Sequence, residues 1–511
     1  MTTPFQRFFP ALAAGLLVLA ACDSADPVDC AVTPSDPSCP PTSASDPNDF
    51  VYDTTGTEIR VTDVRLLDGR LSTSPNATGS GVAPGGDNTI TWTSDFTYIL
   101  TNKVFVNNGQ TLDIEAGTVI KGEPGRLEDA TALIVARGGT LNADGTAAEP
   151  IVMTALADNV NDPSDEPDQG EWGGLIVLGA ASTNLTPGVT NIEGVPTTEG
   201  RGLYGCGDTF ACDDDDSSGS IRYVSIRYGG VLLGTDNEIN GLTLGGVGRG
   251  TTVEYVEVFK NLDDGIEFFG GTVNTRYIVS AFVGDELFDT DQGYRGLNQF
   301  WFGIQSDAPG EGGDNGLEMD GGDADLGGED ATPLSQPVIW NATFVGNNED
   351  RGARIRENAA PSFYRTYWTD FDRGLDIQDN DTGEDSRARL DAGDFALGAV
   401  LFGAFTGDRD ENGVAGEPID VASGQTYTLD YLNTIGARFL GAQTGIVSIS
   451  RTADGGLDPT AAGPALTDLG PAPTNPFFQD APCIGAVCPG DSWMQGWTAL
   501  SQLGYLGGPA L

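Results

Sequence analysis

A unit of 22 residues recurs through the middle of the chain, and this repeat constrains the fold more than any other feature. Each copy has a run of β-branched and aromatic residues, then a turn, an aspartate and a second short apolar run. The aspartates are spaced 22, 29, 36 and 22 residues apart, which indicates a 22-residue unit with insertions at fixed places. They are Asp263, Asp285, Asp314, Asp350 and Asp372. A unit this short cannot bury enough apolar surface alone, so copies must stack on one another.

Short strand-like runs, bounded by turns rich in Gly and Asp, continue from about Thr89, and no helical periodicity accompanies them. Because stacked strands lie about 4.8 Å apart, residues 89–450 would form roughly a dozen coils and a rod on the order of 50–60 Å.

Strand alternation divides the repeat into two columns of side chains. The column predicted to face inward is Ile266, Phe288, Leu317, Ala353 and Leu375. The column predicted to face outward is Glu267, Asp289, Glu318, Arg354 and Asp376.

The N-terminus predicts export and a lipid anchor. Arg7 precedes an apolar run over residues 11–20, which is too short to cross a bilayer of about 30 Å and is typical of a cleaved signal segment. The following Leu19-Ala20-Ala21-Cys22 resembles the lipobox of bacterial lipoproteins, in which the cysteine is acylated. We therefore predict a signal peptide over 1–21, a tether over 22–50, and a cell-envelope location at the outer membrane or cell surface. The alternative is an ordinary signal peptide followed by a chance cysteine.

The other six cysteines fall into close pairs, which favours local disulfides among the 15 connectivities that six cysteines allow. The pairs are Cys30 with Cys39, Cys206 with Cys212, and Cys483 with Cys488. The chain has no histidine that could help complete a four-ligand zinc site. An oxidising compartment is the simpler explanation.

The chain is strongly acidic, with 75 acidic and 25 basic residues and a formal net charge of −50. Nucleic acid is excluded as a partner, because binding to phosphates depends on Lys and Arg. A surface with this charge repels itself when salt is low. The composition therefore predicts adaptation to high salt, or binding of many divalent cations.

Several segments resemble exported bacterial proteins with the pectin-lyase-like right-handed parallel β-helix, among them a group of surface lipoproteins. The segments are residues 110–122, 133–152, 171–179, 263–271, 288–294 and 493–497. The resemblance covers roughly residues 90–500 and implies an all-β solenoid with irregular loop insertions. It implies a β-helix over 51–455 and a C-terminal extension over 456–511 that packs on or caps it. Members of this fold are enzymes, adhesins or stalks, so the fold alone does not decide the function.

The acidic repeat positions are candidates for catalysis. Without histidine, catalysis would depend on carboxylates and arginine. Paired carboxylates could hydrolyse glycosidic bonds, and a calcium-assisted lyase would need acidic ligands beside Arg. The candidate residues are Asp263, Asp264, Glu267, Asp285, Asp289 and Arg354. The alternative is a solvated face adapted to salt.

A loop after the repeats predicts a structural Ca²⁺ site. Asp408, Asp410 and Asn412 match the first half of an Asp-x-Asp-x-Asn-Gly calcium loop. Its twelfth position is Ile419 instead of Glu, and a solvated turn is the alternative.

These patterns together favour a membrane-anchored, non-catalytic β-helical rod that binds glycans or other envelope components or serves as a stalk. The alternative function is a polysaccharide lyase or glycoside hydrolase that acts through an acidic groove. Aromatic residues at repeat positions, such as Trp301 and Trp340, are expected in the core and not on a sugar-binding surface.

Overall fold

A computed structural model describes most of the chain from Val51 onward. The described residues are 51–62, 89–125, 129–234, 237–308, 312–322, 328, 330–349, 351–379, 385–403, 427–441 and 444–507. They belong to one compact unit, Pro47–Leu511. The predicted lipid site and several other predicted residues lie outside the described residues. These are Cys22, Cys30, Cys39, Asp408, Asp410 and Asn412.

The described residues form a parallel β-helix, and the predicted all-β fold class is confirmed. Each coil contributes to three sheets of parallel strands. Sheet 1 contains Thr89–Trp92, Thr111–Ile114, Thr140–Asp144, Val338–Trp340, Ser362–Tyr364 and Leu397–Gly398. Sheet 2 contains Glu58–Thr62, Thr97–Leu100, Val119–Gly122, Ile151–Ala155, Thr343–Val345, Tyr367–Thr369, Leu401–Gly403 and Arg438–Phe439. Four long strands run through both sheets: Gly219–Arg227, Thr252–Phe259, Asn274–Ala281 and Leu297–Ile304.

Sheet 3 has nine strands and carries the repeat positions. It contains Lys103–Val106, Ala132–Val135, Leu175–Leu178, Leu242–Gly245, Ile266–Phe269, Phe288–Asp291, Leu317–Met319, Arg351–Ile355 and Arg373–Ile377. Ile266 pairs with Phe288, and Phe288 pairs with Leu317. All five residues of the predicted inward column are buried in the main hydrophobic core, so this prediction is confirmed.

Each long strand bends from sheet 1 to sheet 2 at one aromatic residue with positive φ. These residues are Tyr223, Tyr255, Tyr277 and Phe300, with φ of 49, 56, 62 and 59°. Their rings stack with centroids 4.3, 4.4 and 4.8 Å apart. A left-handed backbone conformation costs a non-glycine residue roughly 1–2 kcal/mol, and stacking of aromatic rings offsets about 0.5–1.5 kcal/mol of that cost.

The long segment between the strands Leu175–Leu178 and Gly219–Arg227, here called the insertion, covers the outer side of the first strands of sheet 3. Its residues Leu185, Ile192 and Tyr204 form a second apolar cluster with Ile134 and Ile176 of the sheet. The insertion contains the hairpin of Val189–Asn191 with Leu203–Gly205, and a second hairpin, Val231–Gly234 with Asn237–Ile239, follows it. The predicted disulfide Cys206–Cys212 is formed here.

Residues 444–507, here called the C-terminal strap, contact the outer side of sheet 2. The amide of Ala486 donates to Thr343 Oγ1 at 2.9 Å, and that of Gly445 donates to the hydroxyl of Tyr367 at 2.7 Å. Trp497 contacts the edge of the Tyr223 ring at 5.7 Å. The strap contains the hairpin of Ile446–Ile449 with Leu457–Ala461, and the predicted disulfide Cys483–Cys488.

The helices are short and lie outside the coils, although the sequence shows no helical periodicity. They are Ser386–Ala392, Tyr427–Ile435, the 3₁₀ helix Gly463–Leu466, and Ala499–Gln502. Local capping explains one of them: the Asp385 side chain accepts from the amide of Ala388, and Gly393 ends the helix with φ 81°. Within the described ranges, no helix is long and apolar enough to cross a membrane.

The tryptophans at repeat positions are buried, as expected for core residues. Trp301 and Trp368 have no exposed surface, and Trp340 is 8% exposed. Trp172 is also fully buried, and its Nε1 donates to the carbonyl of Arg227 at 2.8 Å.

Candidate functional site

Two columns of polar side chains follow the later strands of sheet 3. The corner column lies in the turns just before the strands and consists of Asp263, Asp264, Asp285, Glu286, Asp314 and Asn315. The outward column lies on the strands and consists of Glu267, Asp289, Glu318, Arg354 and Asp376. The parallel register places each member of the outward column beside its counterpart in the next coil.

Carboxylate oxygens of these columns approach one another closely. Three groups have oxygens that all lie within 4.8 Å of one another. The groups are Asp263 with Asp264 and Asp285; Asp264 with Glu267 and Asp289; and Asp285 with Glu286 and Asp314. The structure therefore brings together five of the six predicted catalytic residues.

The corner column is largely buried. Asp264 and Glu286 are each 6% exposed. Asp264 Oδ1 accepts from the amide of Glu286 at 2.8 Å, and Glu286 Oε1 accepts from Asn315 Nδ2 at 2.7 Å. Burial, and then the neighbouring carboxylates, raise the pKa of both acids well above the usual range. These two groups therefore keep their protons at a higher pH than ordinary acids do.

The outward column begins with acids that are half-buried. Glu267 accepts from Asn240 Nδ2, while the buried Oδ1 of Asp289 has no hydrogen-bond donor. Burial raises the pKa of both carboxyls, and the nearby Glu193 of the insertion adds to the effect on the pKa of Glu267. Among the described residues, neither Glu267 nor Asp289 has an ion pair with Lys or Arg within 4.0 Å.

In the next coils, arginine side chains join the acids on this face. Glu318 pairs with Arg354 at 3.1 Å and with Arg356 at 2.9 Å, and Arg356 also pairs with Asp320 at 2.7 Å. Arg351 pairs with Asp376 at 2.8 Å. The predicted Arg354 thus contacts Glu318 of the neighbouring coil. Among the described residues, the face thus begins with Glu267 and Asp289, which have no ion pair with Lys or Arg, and continues with coils in which acids and arginines alternate.

Sequence reasoning missed four polar residues around these columns: Glu193, Tyr204, Asn240 and Asn315. Asn240 and Asn315 each precede Gly and Leu, just as Asp264 precedes Gly and Ile. This shared pattern could have placed both asparagines in the repeat. Glu193 and Tyr204 come from an insertion outside the repeat, and no spacing in the sequence connects them to it.

A known protein family matches most of the coil region. The family is described as a pectate-lyase-like β-helix domain, and the match extends over residues 86–437. The chain belongs to this family. The resemblance to the pectin-lyase-like superfamily is therefore confirmed, whereas the lipid anchor stays a prediction. Comparison with curated proteins and with solved structures finds no match.

Proposed function

We propose that this member of the family is an exported, lipid-anchored rod of the cell envelope that binds glycans without cleaving them. The observation that carries the proposal is the outward column, in which four acids and Arg354 are in register on successive coils of sheet 3. Carboxylates and guanidinium groups both make paired hydrogen bonds, and neighbouring hydroxyls of a sugar ring offer matching groups. A polysaccharide could contact several coils at once.

The surroundings of the outward column support a binding face. The insertion covers the earlier strands of sheet 3 with apolar side chains such as Leu185 and Ile192, and the strap covers sheet 2. The outward column, on the later strands of sheet 3, is half-buried and polar. In ligand sites, a small number of placed polar groups fix the orientation of the ligand and provide specificity.

Two observations support export and anchoring. Residues 11–22 have the signal segment and lipobox pattern, and the disulfides Cys206–Cys212 and Cys483–Cys488 are typical of exported proteins. If the lipid is attached to Cys22, the variant Cys22→Ser moves from the membrane fraction to the soluble fraction after export. Retention of that variant in the membrane would contradict the anchor.

Glycan binding is tested with the full chain and a panel of neutral and acidic polysaccharides, with both retention and product release measured. We expect Glu318→Gln and Arg354→Met to weaken binding at least tenfold while Asp144→Asn leaves it unchanged. Asp144 is the matched control, because it is an ion-paired acid on sheet 1, 48% exposed. Equal losses in all three variants, or no binding by the wild type, would contradict the proposal.

A second candidate function is a polysaccharide lyase or glycoside hydrolase. The observation that favours it is the raised pKa of Glu267 and Asp289, which burial produces and which suits a carboxyl group to general-acid catalysis. In the same panel, product release that is abolished by Asp289→Asn would establish an enzyme and overturn the non-catalytic rod.

A further inference from the structure

Sheet 1 carries alternating charges on four neighbouring strands. The residues of this charge ladder are in register and follow one another as Asp144, Arg222, Glu254 and Arg276. Arg222 lies 2.8 Å from Asp144 and 3.6 Å from Glu254. Arg276 lies 3.4 Å from Glu254. The exposed fraction of the side chains falls from 48% at Asp144 to 18% at Arg276, so the charge ladder is partly open to solvent over its whole length.

A second column of short polar side chains runs beside the charge ladder. Its members lie two residues before those of the ladder and are also in register: Asn142, Ser220, Thr252 and Asn274. The residues between the two columns are at most 1% exposed. They are Ala143, Ile221, Val253 and Thr275. Both columns therefore lie on the outer side of sheet 1, and the short side chains leave room for another surface to approach the ladder.

The order of the charges makes the ladder self-complementary. From Asp144 to Arg276 the signs are negative, positive, negative and positive, so the reversed order has the opposite sign at every step. If the coil axis of a second copy runs in the opposite direction, its Arg276 faces Asp144 and its Glu254 faces Arg222. A two-fold axis parallel to the strands, between Arg222 and Glu254, produces this arrangement, and both copies then use the same surface.

The outward column of sheet 3 lacks this symmetry. Its signs from Glu267 to Asp376 are negative, negative, negative, positive and negative. In the same two-fold arrangement Glu267 would face Asp376, and Glu318 would face the same residue of the second copy. Like charges in contact oppose association. Charge complementarity therefore selects sheet 1, and not the proposed glycan-binding face, as the surface for a second copy.

We propose that two copies of this chain form a dimer through the charge ladder of sheet 1, with their coil axes antiparallel. The contact is small, because four strands about 4.8 Å apart extend over about 15 Å of the coil axis. Such a contact belongs to the weak interfaces, which bury less than about 1,200 Å². Exposed ion pairs also stabilise a contact only slightly. The dimer is therefore weak and reversible, and it does not depend on glycan binding.

Salt controls this dimer through the net charge of −50 on each copy. At low salt the two copies repel each other over a long distance, about 30 Å at 0.01 M. At 1 M salt the range of this repulsion shrinks to about 3 Å, whereas partly buried ion pairs are screened much less. The dimer is therefore expected at high salt, and the monomer at low salt.

The test is sedimentation velocity of the full chain in low and in high sodium chloride, at several protein concentrations. Arg222→Glu places an acid opposite Glu254 of the second copy, so we expect it to weaken dimerisation at least tenfold at high salt. Glu254→Arg should cause a similar loss. Arg60→Glu is the matched control, because Arg60 is an ion-paired arginine on sheet 2, 44% exposed. It changes the net charge equally and should dimerise as the wild type does.

A combined variant separates contacts between copies from contacts within one chain. With Arg222→Glu and Glu254→Arg together, opposite charges still face each other across the dimer, but neighbours within one ladder have like charges. We expect this variant to dimerise at least tenfold more tightly than either single variant. No recovery would overturn the proposal, as would a monomeric wild type at high salt or an equal loss in Arg60→Glu. Thermal unfolding at low salt verifies that each variant is folded. If the combined variant does not fold, the two single variants and Arg60→Glu decide.

Discussion

At the scale of single residues, the bend between sheets 1 and 2 depends on side chains that tolerate positive φ. Tyr255 has φ 56° and lies between the rings of Tyr223 and Tyr277, at 4.3 and 4.4 Å. We expect Tyr255→Ala to lower the free energy of unfolding by about 2–3 kcal/mol, because stacking is lost and a cavity remains. Tyr255→Asn should cost about 1 kcal/mol less, because asparagine adopts the left-handed region more easily. Denaturant unfolding of both variants measures their free energies of unfolding. An asparagine variant less stable than the alanine variant would refute the argument.

The buried carboxyl group of Glu257 makes the stability of the folded chain depend on pH. It is fully buried and accepts from the amide of Leu500 at 3.2 Å in the strap. Burial raises its pKa above the usual value, so the folded chain holds this proton at a higher pH than the unfolded chain. The stability that Glu257 contributes is present below the unfolded pKa of about 4.3 and is lost as the pH rises through the raised folded value.

Replacing Glu257 with Gln keeps an acceptor oxygen and removes the ionisation. Between pH 4 and pH 8 (both approximate buffer limits), we expect the midpoint of thermal unfolding to fall more in the wild type than in Glu257→Gln, by about a few degrees. Glu254→Gln, in the same strand but exposed by 28% and paired with Arg222, serves as the control. Parallel pH curves for wild type and Glu257→Gln would show that the buried carboxyl is not responsible.

At the scale of elements, one buried arginine attaches residues 469–481 of the strap to the coils. Arg365 donates to the carbonyls of Leu469 at 2.9 Å, Ala481 at 2.6 Å and Pro471 at 3.1 Å, and it pairs with Asp480. We expect Arg365→Met to destabilise the chain by about 2–4 kcal/mol, because buried carbonyls lose their donors. Limited proteolysis should then cut near residues 469–481.

The exposed Arg222 provides the comparison for Arg365. It is 39% exposed and pairs with Asp144 at 2.8 Å, so Arg222→Met should change stability by less than about 1 kcal/mol. Equal protease resistance of wild type and Arg365→Met would mean that other contacts hold the strap.

The coils and the presence of a C-terminal extension were predictable from the sequence, whereas the contacts that attach the strap were not, and the reason is physical. The inward column of Ile266 and its counterparts repeats with strand periodicity, so apolar spacing alone reveals it. Part of the strap is attached through backbone carbonyls that accept from Arg365, and backbone groups leave no pattern in the sequence. Likewise Asp264 and Asp285 were visible as acids of the repeat, whereas the contact of Asn315 with Glu286 is seen only in the structure.

At the scale of the whole molecule, the net charge of −50 opposes compactness. Mutual repulsion of surface charges acts over a distance that shrinks from about 30 Å at 0.01 M salt to about 3 Å at 1 M. The unfolding midpoint of the full chain should therefore rise by several degrees over this range of sodium chloride. Potassium chloride should act equally, because screening depends on ionic strength. A flat or falling midpoint would show that the acids are already neutralised within the fold.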